Sequence, residues 1–177
     1  VNTIDCLILT SPGKDLLAGG TYIVENFGVG KVMTDGDRLD GALWEAIRGK
    51  GVEWENLRSA GEIDVPGGYH IWVMRPEGWE AVEDSANPRP LALRLEAAGA
   101  SFLLAESLGG EGGKSLGEIY GRELESTVLF VSGTPDGDPG TPLVEQVRPR
   151  ILISEDGEAA APEPVKAYSI TEDGAVT

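Results

Sequence analysis

Gly109-Gly110-Glu111-Gly112-Gly113-Lys114-Ser115 has the ingredients of a phosphate loop: glycines, then Lys and Ser, between an apolar run and a helical pattern. In such loops backbone N–H groups cradle phosphate and the Lys reaches the outer oxygens. The spacing departs from that pattern, because Leu108 stands five positions before Gly113, where a glycine is needed. Glu111 would also aim a negative charge into the anion nest. The segment therefore reads as a flexible loop, and nucleotide binding is kept only as a third reading. Asp35-Gly36-Asp37 and Asp136-Gly137-Asp138 could offer oxygens to Ca²⁺. Neither supplies six of them or a glutamate at the twelfth position, so both read as turns. His70, between Tyr69 and Ile71, reads as a partly buried structural residue, since an acid/base role needs a partner that the sequence does not locate. Cys6 alternates with Ile4 and Ile8 and reads as core.

Composition narrows the chemistry further. The 177 residues include one Cys, one His, 14 Lys+Arg and 30 Asp+Glu, for a net charge of -16. One Cys excludes an intrachain disulfide and a thiolate cluster. One His excludes every multi-histidine metal site. Aromatics at 6% are few for a base-stacking surface, and the acid excess opposes a phosphate backbone. Hydrophobic residues at 41% suffice for a core, and the length fits a single domain, 1–177. No run of 18 apolar residues is present to span a membrane. Val1-Asn2-Thr3-Ile4 runs at once into a strand pattern, which suggests a chain cut from a longer one.

The elements that must position these residues follow from periodicity. Ile4–Thr10, Val29–Thr34 and Val52–Arg58 read as strands. Between them, Leu16–Asn26 and Leu39–Lys50 read as helices, with Asp15 as N-cap of the first and Gly51 as C-cap of the second. Tyr69–Met74 reads as a strand, Glu77–Pro90 as a loop, and Leu91–Glu96 with Ala100–Ala105 as a hairpin about Gly99. A helix over Lys114–Arg122, a strand over Thr127–Val131, a helix over Thr141–Val147 and a strand over Arg150–Ser154 follow. One or two short strands close the chain over Val165–Thr177. The order is that of an α/β chain with mixed strand directions.

One stretch has a more specific likeness. Thr10-Ser11-Pro12-Gly13-Lys14-Asp15-Leu16, with Gly19-Gly20 behind it, resembles the first metal motif of metallo-β-lactamase-fold hydrolases, Thr-His-x-His-x-Asp-His followed by Gly-Gly. Thr10 and Asp15 match, whereas Ser11, Gly13 and Leu16 occupy the histidine positions. Later segments resemble, in order, the extracytoplasmic domain of ComEC-type DNA-uptake (competence) proteins. Asn87 precedes a strand-turn-strand, and Ser107 holds the place of the family's bridging Asp, one residue after Glu106. Gly133 and Thr134 sit at two further histidine positions. Val147–Ser154 is similar to a Val-x-Pro-x-x-x-Ile-Ser strand, and Tyr168–Val176 to a closing strand pair.

The resemblance implies an αββα sandwich, lacking the family's N-terminal strands and so open at one edge. That edge would pair with the remainder of a longer chain or with another subunit. A zinc hydrolase needs about three His, Asp or Cys ligands per metal. Ser, Gly, Leu and Thr cannot supply them, which leaves Asp15 and Glu106 as weak candidates and no cofactor expected. The implied function is a non-catalytic, pseudoenzyme-like domain with a structural or binding role, extracytoplasmic if the ComEC likeness holds, with direct nucleic-acid binding disfavoured. The alternative is a divalent-metal-dependent phosphodiesterase or nuclease with an atypical site around Asp15.

Overall fold

The computed structural model describes residues 2–10, 14–34, 41–57, 60–63, 65, 69–76, 91–106, 108, 110–132, 141–155 and 161–173. They divide between two compact units, one over Val1–Ser59 with Glu83–Arg89 and one over Ala60–Val82 with Pro90–Thr177. Both anticipated aspartate turns lie outside the described residues, as does the whole Glu77–Pro90 stretch.

In the first unit, β1 (Thr3–Leu9), β2 (Gly28–Thr34) and β3 (Glu53–Asn56) form a parallel sheet in that order. Parallel neighbours need crossovers, and α1 (Lys14–Asn26) and α2 (Ala42–Lys50) supply them. Leu9 and Val32 from the sheet meet Val24 of α1 and Leu43 and Ile47 of α2 in one core. Leu17, Gly20 and Val24 of α1 and Leu43, Ala46 and Ile47 of α2 turn inward, whereas Leu16 (36%) and Ala42 are exposed. Helix α2 ends as anticipated at Gly51, whose φ of 65° and ψ of 30° cost a glycine little. The Gly51 N–H donates to the Arg48 carbonyl and the Val52 N–H to the Ile47 carbonyl, at 3.2 and 3.0 Å, the double closure of a Schellman motif.

In the second unit seven strands run in the order β10-β9-β8-β7-β6-β5-β4. These are β4 (Gly61–Ile63), β5 (His70–Met74), β6 (Leu91–Ala97), β7 (Ala100–Glu106), β8 (Val128–Ser132), β9 (Ile151–Ser154) and β10 (Lys166–Ser169). The pairs from β4 to β7 are antiparallel and those from β7 to β10 parallel. Its helices are α3 (Gly110–Tyr120), α4 (Thr141–Val147) and α5 (Ile170–Asp173), with a short 3₁₀ turn at Gly121–Leu124. Leu103, Leu129 and Leu152 of the sheet pack with Leu116, Leu124 and Leu143, all fully buried. The hairpin joining β6 to β7 turns on Ala98 and Gly99, both at positive φ (51° and 79°), as a two-residue turn matched to strand twist requires.

Three sequence expectations need correction. The glycine-rich run 110–113 is not a loop but the first turn of α3. Its glycines serve packing: a Cβ on Gly113 would stand 3.0 Å from Leu143 Cβ, and one on Gly117 2.8 Å from Gln146 Cγ. Small residues there let α3 and α4 approach closely. Among the described residues the chain end holds one strand, β10, within the one or two anticipated, and the short helix α5 follows it where the family likeness implied a strand pair over Tyr168–Val176. Helix α1 begins at Lys14, so Asp15 lies inside its first turn rather than at its cap.

Candidate functional site

In α/β sheets, ligands gather at the carboxyl ends of parallel strands, where loops leave the sheet and backbone dipoles point outward. Among the described residues of the family likeness, Thr10 directly follows β1 and Glu106 is the last residue of β7. In the first unit, the Thr10–Leu16 segment connects the carboxyl end of β1 to α1, and Leu9, Thr34 and Asn56 end the three strands in register. Thr34 is buried, and its hydroxyl accepts a hydrogen bond from Trp54 Nε1 at 3.0 Å. In the second unit, Glu106 ends β7 beside Ser132 of β8, and Ser154 pairs with Val131 and with Ser169 one row earlier. Ser154 and Ser169 are buried, each 4% exposed. Glu106 is half-buried and already engaged in a polar interaction.

Ser11, Gly13, Ser107, Gly133 and Thr134 lie outside the described residues, as does the Asp15 side chain. Leu16, at a position where the family keeps a histidine, carries an aliphatic side chain with no donor. Among the described residues no three His, Cys, Asp or Glu side chains come together. If these residues hold the places that the sequence likeness implies, their hydroxyls, glycine and leucine do not fit a zinc or di-iron centre, which needs His, Asp, Glu or Cys donors.

The Gly19-Gly20 pair of the motif has separable roles. A Cβ on Gly20 would stand 2.8 Å from Leu9 Cδ1 and 3.7 Å from Leu43 Cδ1, so Gly20 sets how closely α1 approaches the sheet. Around Gly19 nothing lies within 4 Å. Gly19→Ala is therefore expected to raise stability by about 1 kcal/mol through helix propensity. Gly20→Ala is expected to lower it despite the same propensity gain. Paired urea titrations check both, and equal shifts would refute the packing role of Gly20.

Two charged clusters that sequence reasoning misread lie away from these strand ends. Cys6 is not enclosed by the helix-side core. It lies half-buried on the opposite sheet face, in register with Lys31, which bridges Glu53 and Glu55 at 3.0 and 3.1 Å. Burial pushes the Cys6 thiol above its ordinary 9.0, against a smaller opposite pull from Lys31. Hydrogen bonds that the Lys31 ammonium donates to the Glu53 and Glu55 carboxylates raise its pKa above 10.5. A folded-state pKa that is raised contributes stability below the unfolded value and loses it as pH climbs through the folded one. Stability is thus expected to fall as pH is raised above about 9. Cys6 should also alkylate more slowly at pH 8 in the folded than in the unfolded chain. Iodoacetamide kinetics with and without urea measure this, and equal rates would contradict it.

His70, anticipated as partly buried, is exposed. Its Nδ1 lies 2.7 Å from Glu62 Oε1, and its ring stacks on Trp72 with centroids 5.6 Å apart. Arg94 covers Trp72 at 5.2 Å and reaches Glu96 at 2.6 Å. Glu62 comes from β4, which the sequence reading missed. The dyad has no nucleophile in described contact and forms a surface cross-strand ladder.

No protein-family pattern matches the chain, and comparison of its sequence with curated proteins finds no match. Solved structures do match. The chain aligns with CmlA, a diiron β-hydroxylase from Streptomyces venezuelae, at a TM-score of 0.56 and 11% identity, over 87% of this chain and 36% of that one. A mutant of the CmlA β-hydroxylase gives the same TM-score at 13% identity. Igni18, described as a novel metallo hydrolase from the hyperthermophilic archaeon Ignicoccus hospitalis, aligns at a TM-score of 0.51 and 15% identity, over 85% of this chain and 62% of that one. The fold is metallo-β-lactamase-like. At these identities the likeness establishes the architecture alone, and the chain spans about a third of CmlA and 62% of Igni18.

Proposed function

We propose that the chain is a non-catalytic metallo-β-lactamase-like domain, residues 1–177, with a structural or binding role. The observation that carries the reading is the chemistry of the motif positions: Ser11, Gly13, Leu16, Ser107, Gly133 and Thr134 replace metal ligands, leaving Asp15 and Glu106. Two carboxylates hold a zinc ion weakly, and without zinc there is no zinc-bound water with its pKa brought near 7. The setting we propose is a ComEC-like DNA-uptake protein, in which this domain serves assembly rather than cleavage. The charge of -16 makes it a poor direct ligand for DNA. No helix among the described residues is long and apolar enough to cross a membrane. Among the described residues β1 and β3 are the outer strands of the first sheet. We assign the β1 edge to pairing with another segment or subunit, because an open edge presents unpaired N–H and C=O groups. A strictly monomeric protein in which β1 amides exchange as fast as loop amides would count against that assignment.

Metal analysis of protein purified from zinc-replete and iron-replete cultures tests the central claim. Substoichiometric metal is expected, and one bound ion per chain would overturn it. A second reading is favoured by one observation: the structural neighbours are described as enzymes, a metallo hydrolase and a diiron β-hydroxylase. It makes the chain a divalent-dependent phosphodiesterase acting around Asp15. Plasmid cleavage that requires Mg²⁺ or Mn²⁺ and disappears in Asp15→Ala would establish it in place of the first.

A further inference from the structure

At the opposite end of the second sheet, where β9 and β10 begin, the structure holds a groove of about 660 Å³ that no step above uses. Its walls are apolar: Val144 at the end of α4, Ile151 and Val165, with Pro162 and Pro164 along one side. Its rim is cationic. Arg148, Arg150 and Lys166 surround the opening and are all exposed, and Glu145 is the acid among the lining residues. Arg148 has a carboxylate partner, Glu125 at 3.5 Å. Arg150 and Lys166 have none among the described residues, although acids outnumber bases by 30 to 14 in the chain. Backbone bonds hold the two in place: the Arg150 N–H donates to the Thr127 carbonyl at 2.9 Å and the Lys166 N–H to the Arg150 carbonyl at 3.0 Å.

We propose that this groove binds a small amphiphilic anion, an aliphatic or aromatic body ending in a carboxylate or phosphate. The volume lies in the range of small-molecule sites, about 300–1,000 Å³. Apolar walls remove the body from water, while a head group at Arg150 and Lys166 gains charge-assisted hydrogen bonds in an otherwise repulsive field. Glu145 disfavours an anion on its own side and so places the head toward the β9–β10 side. The site lies at the amino ends of β9 and β10, whereas Glu106 lies at the carboxyl end of β7, so it stands independently of the metal reading.

Titration of the ¹⁵N-labelled chain with sodium decanoate, kept below its micelle concentration, tests the proposal. Saturable shifts centred on the amides of Ile151, Val165 and Lys166 are expected, with decanol binding at least about tenfold more weakly. The double variant Arg150→Gln, Lys166→Gln should lose decanoate affinity by at least about tenfold while keeping its melting temperature, since both side chains are exposed. Inorganic phosphate alone should bind more weakly than decanoate, which separates an amphiphile site from a bare anion site. Equal binding of decanol, unchanged affinity in the double variant, shifts centred elsewhere or no saturable binding would each overturn it.

Discussion

Leu129→Ala lowers the free energy of unfolding by about 3–4 kcal/mol, because the leucine is fully buried on β8 between two parallel neighbours and cannot be replaced by solvent or rearrangement. Small domains hold only about 5–15 kcal/mol in total, so this one substitution removes a large share of the margin. Urea unfolding followed by circular dichroism measures it. A loss under about 1 kcal/mol would show that the core around Leu103, Leu124 and Leu152 is looser than its burial implies.

Gly30→Val is the counterpart in the first unit, with an expected cost of about 3 kcal/mol. Gly30 lies in the central strand β2, and a Cβ there would stand 2.7 Å from the Asp5 carbonyl oxygen, which belongs to the backbone of β1. A side-chain neighbour could rotate away, but a strand backbone must separate, and the β1–β2 hydrogen bonds lengthen with it. Gly30→Ala is expected to show the same sign at smaller size. The two variants together also test the proposal that residues 1–177 are one domain. A single transition that both substitutions shift supports one cooperative domain, whereas a first-unit transition that moves only with Gly30→Val would split it.

What could be read in the sequence was what is encoded locally. The helices α1 and α2, the Gly51 stop and the hairpin about Gly99 each depend on residues within a few positions of one another and were found where expected, although Leu16 and Ala42 stay exposed. The glycines of α3 were misread because their reason is distant: Leu143 and Gln146 of α4 fill the space that a side chain would take. Strand β4 was missed because three residues at a sheet edge carry no alternation, and its role, carrying Glu62 to His70, is visible only in three dimensions. Cys6 was assigned to the core because alternation shows that a residue shares a face, not which face the helices cover. At the candidate site, the motif positions rest on residue identity in the sequence, and most of them lie outside the described residues. The cationic groove was not, because Arg148 and Arg150 meet Lys166 only through the pairing of β9 with β10.

The mixed direction of the second sheet bears on how the chain reaches this structure. Its antiparallel half includes a two-residue turn, so Ala97 pairs with Ala100 as soon as that short stretch leaves the ribosome. Hairpins of this kind close in about 1–10 μs. Every parallel pairing, by contrast, waits for a whole helix or a long excursion to be spanned, as when Phe102 meets Val128 or Lys31 meets Glu53. Loop-closure entropy therefore orders assembly outward from β6 and β7. The edge of β7 that later receives β8 stands open in the interim, a window in which chaperones or neighbouring chains compete with the native partner.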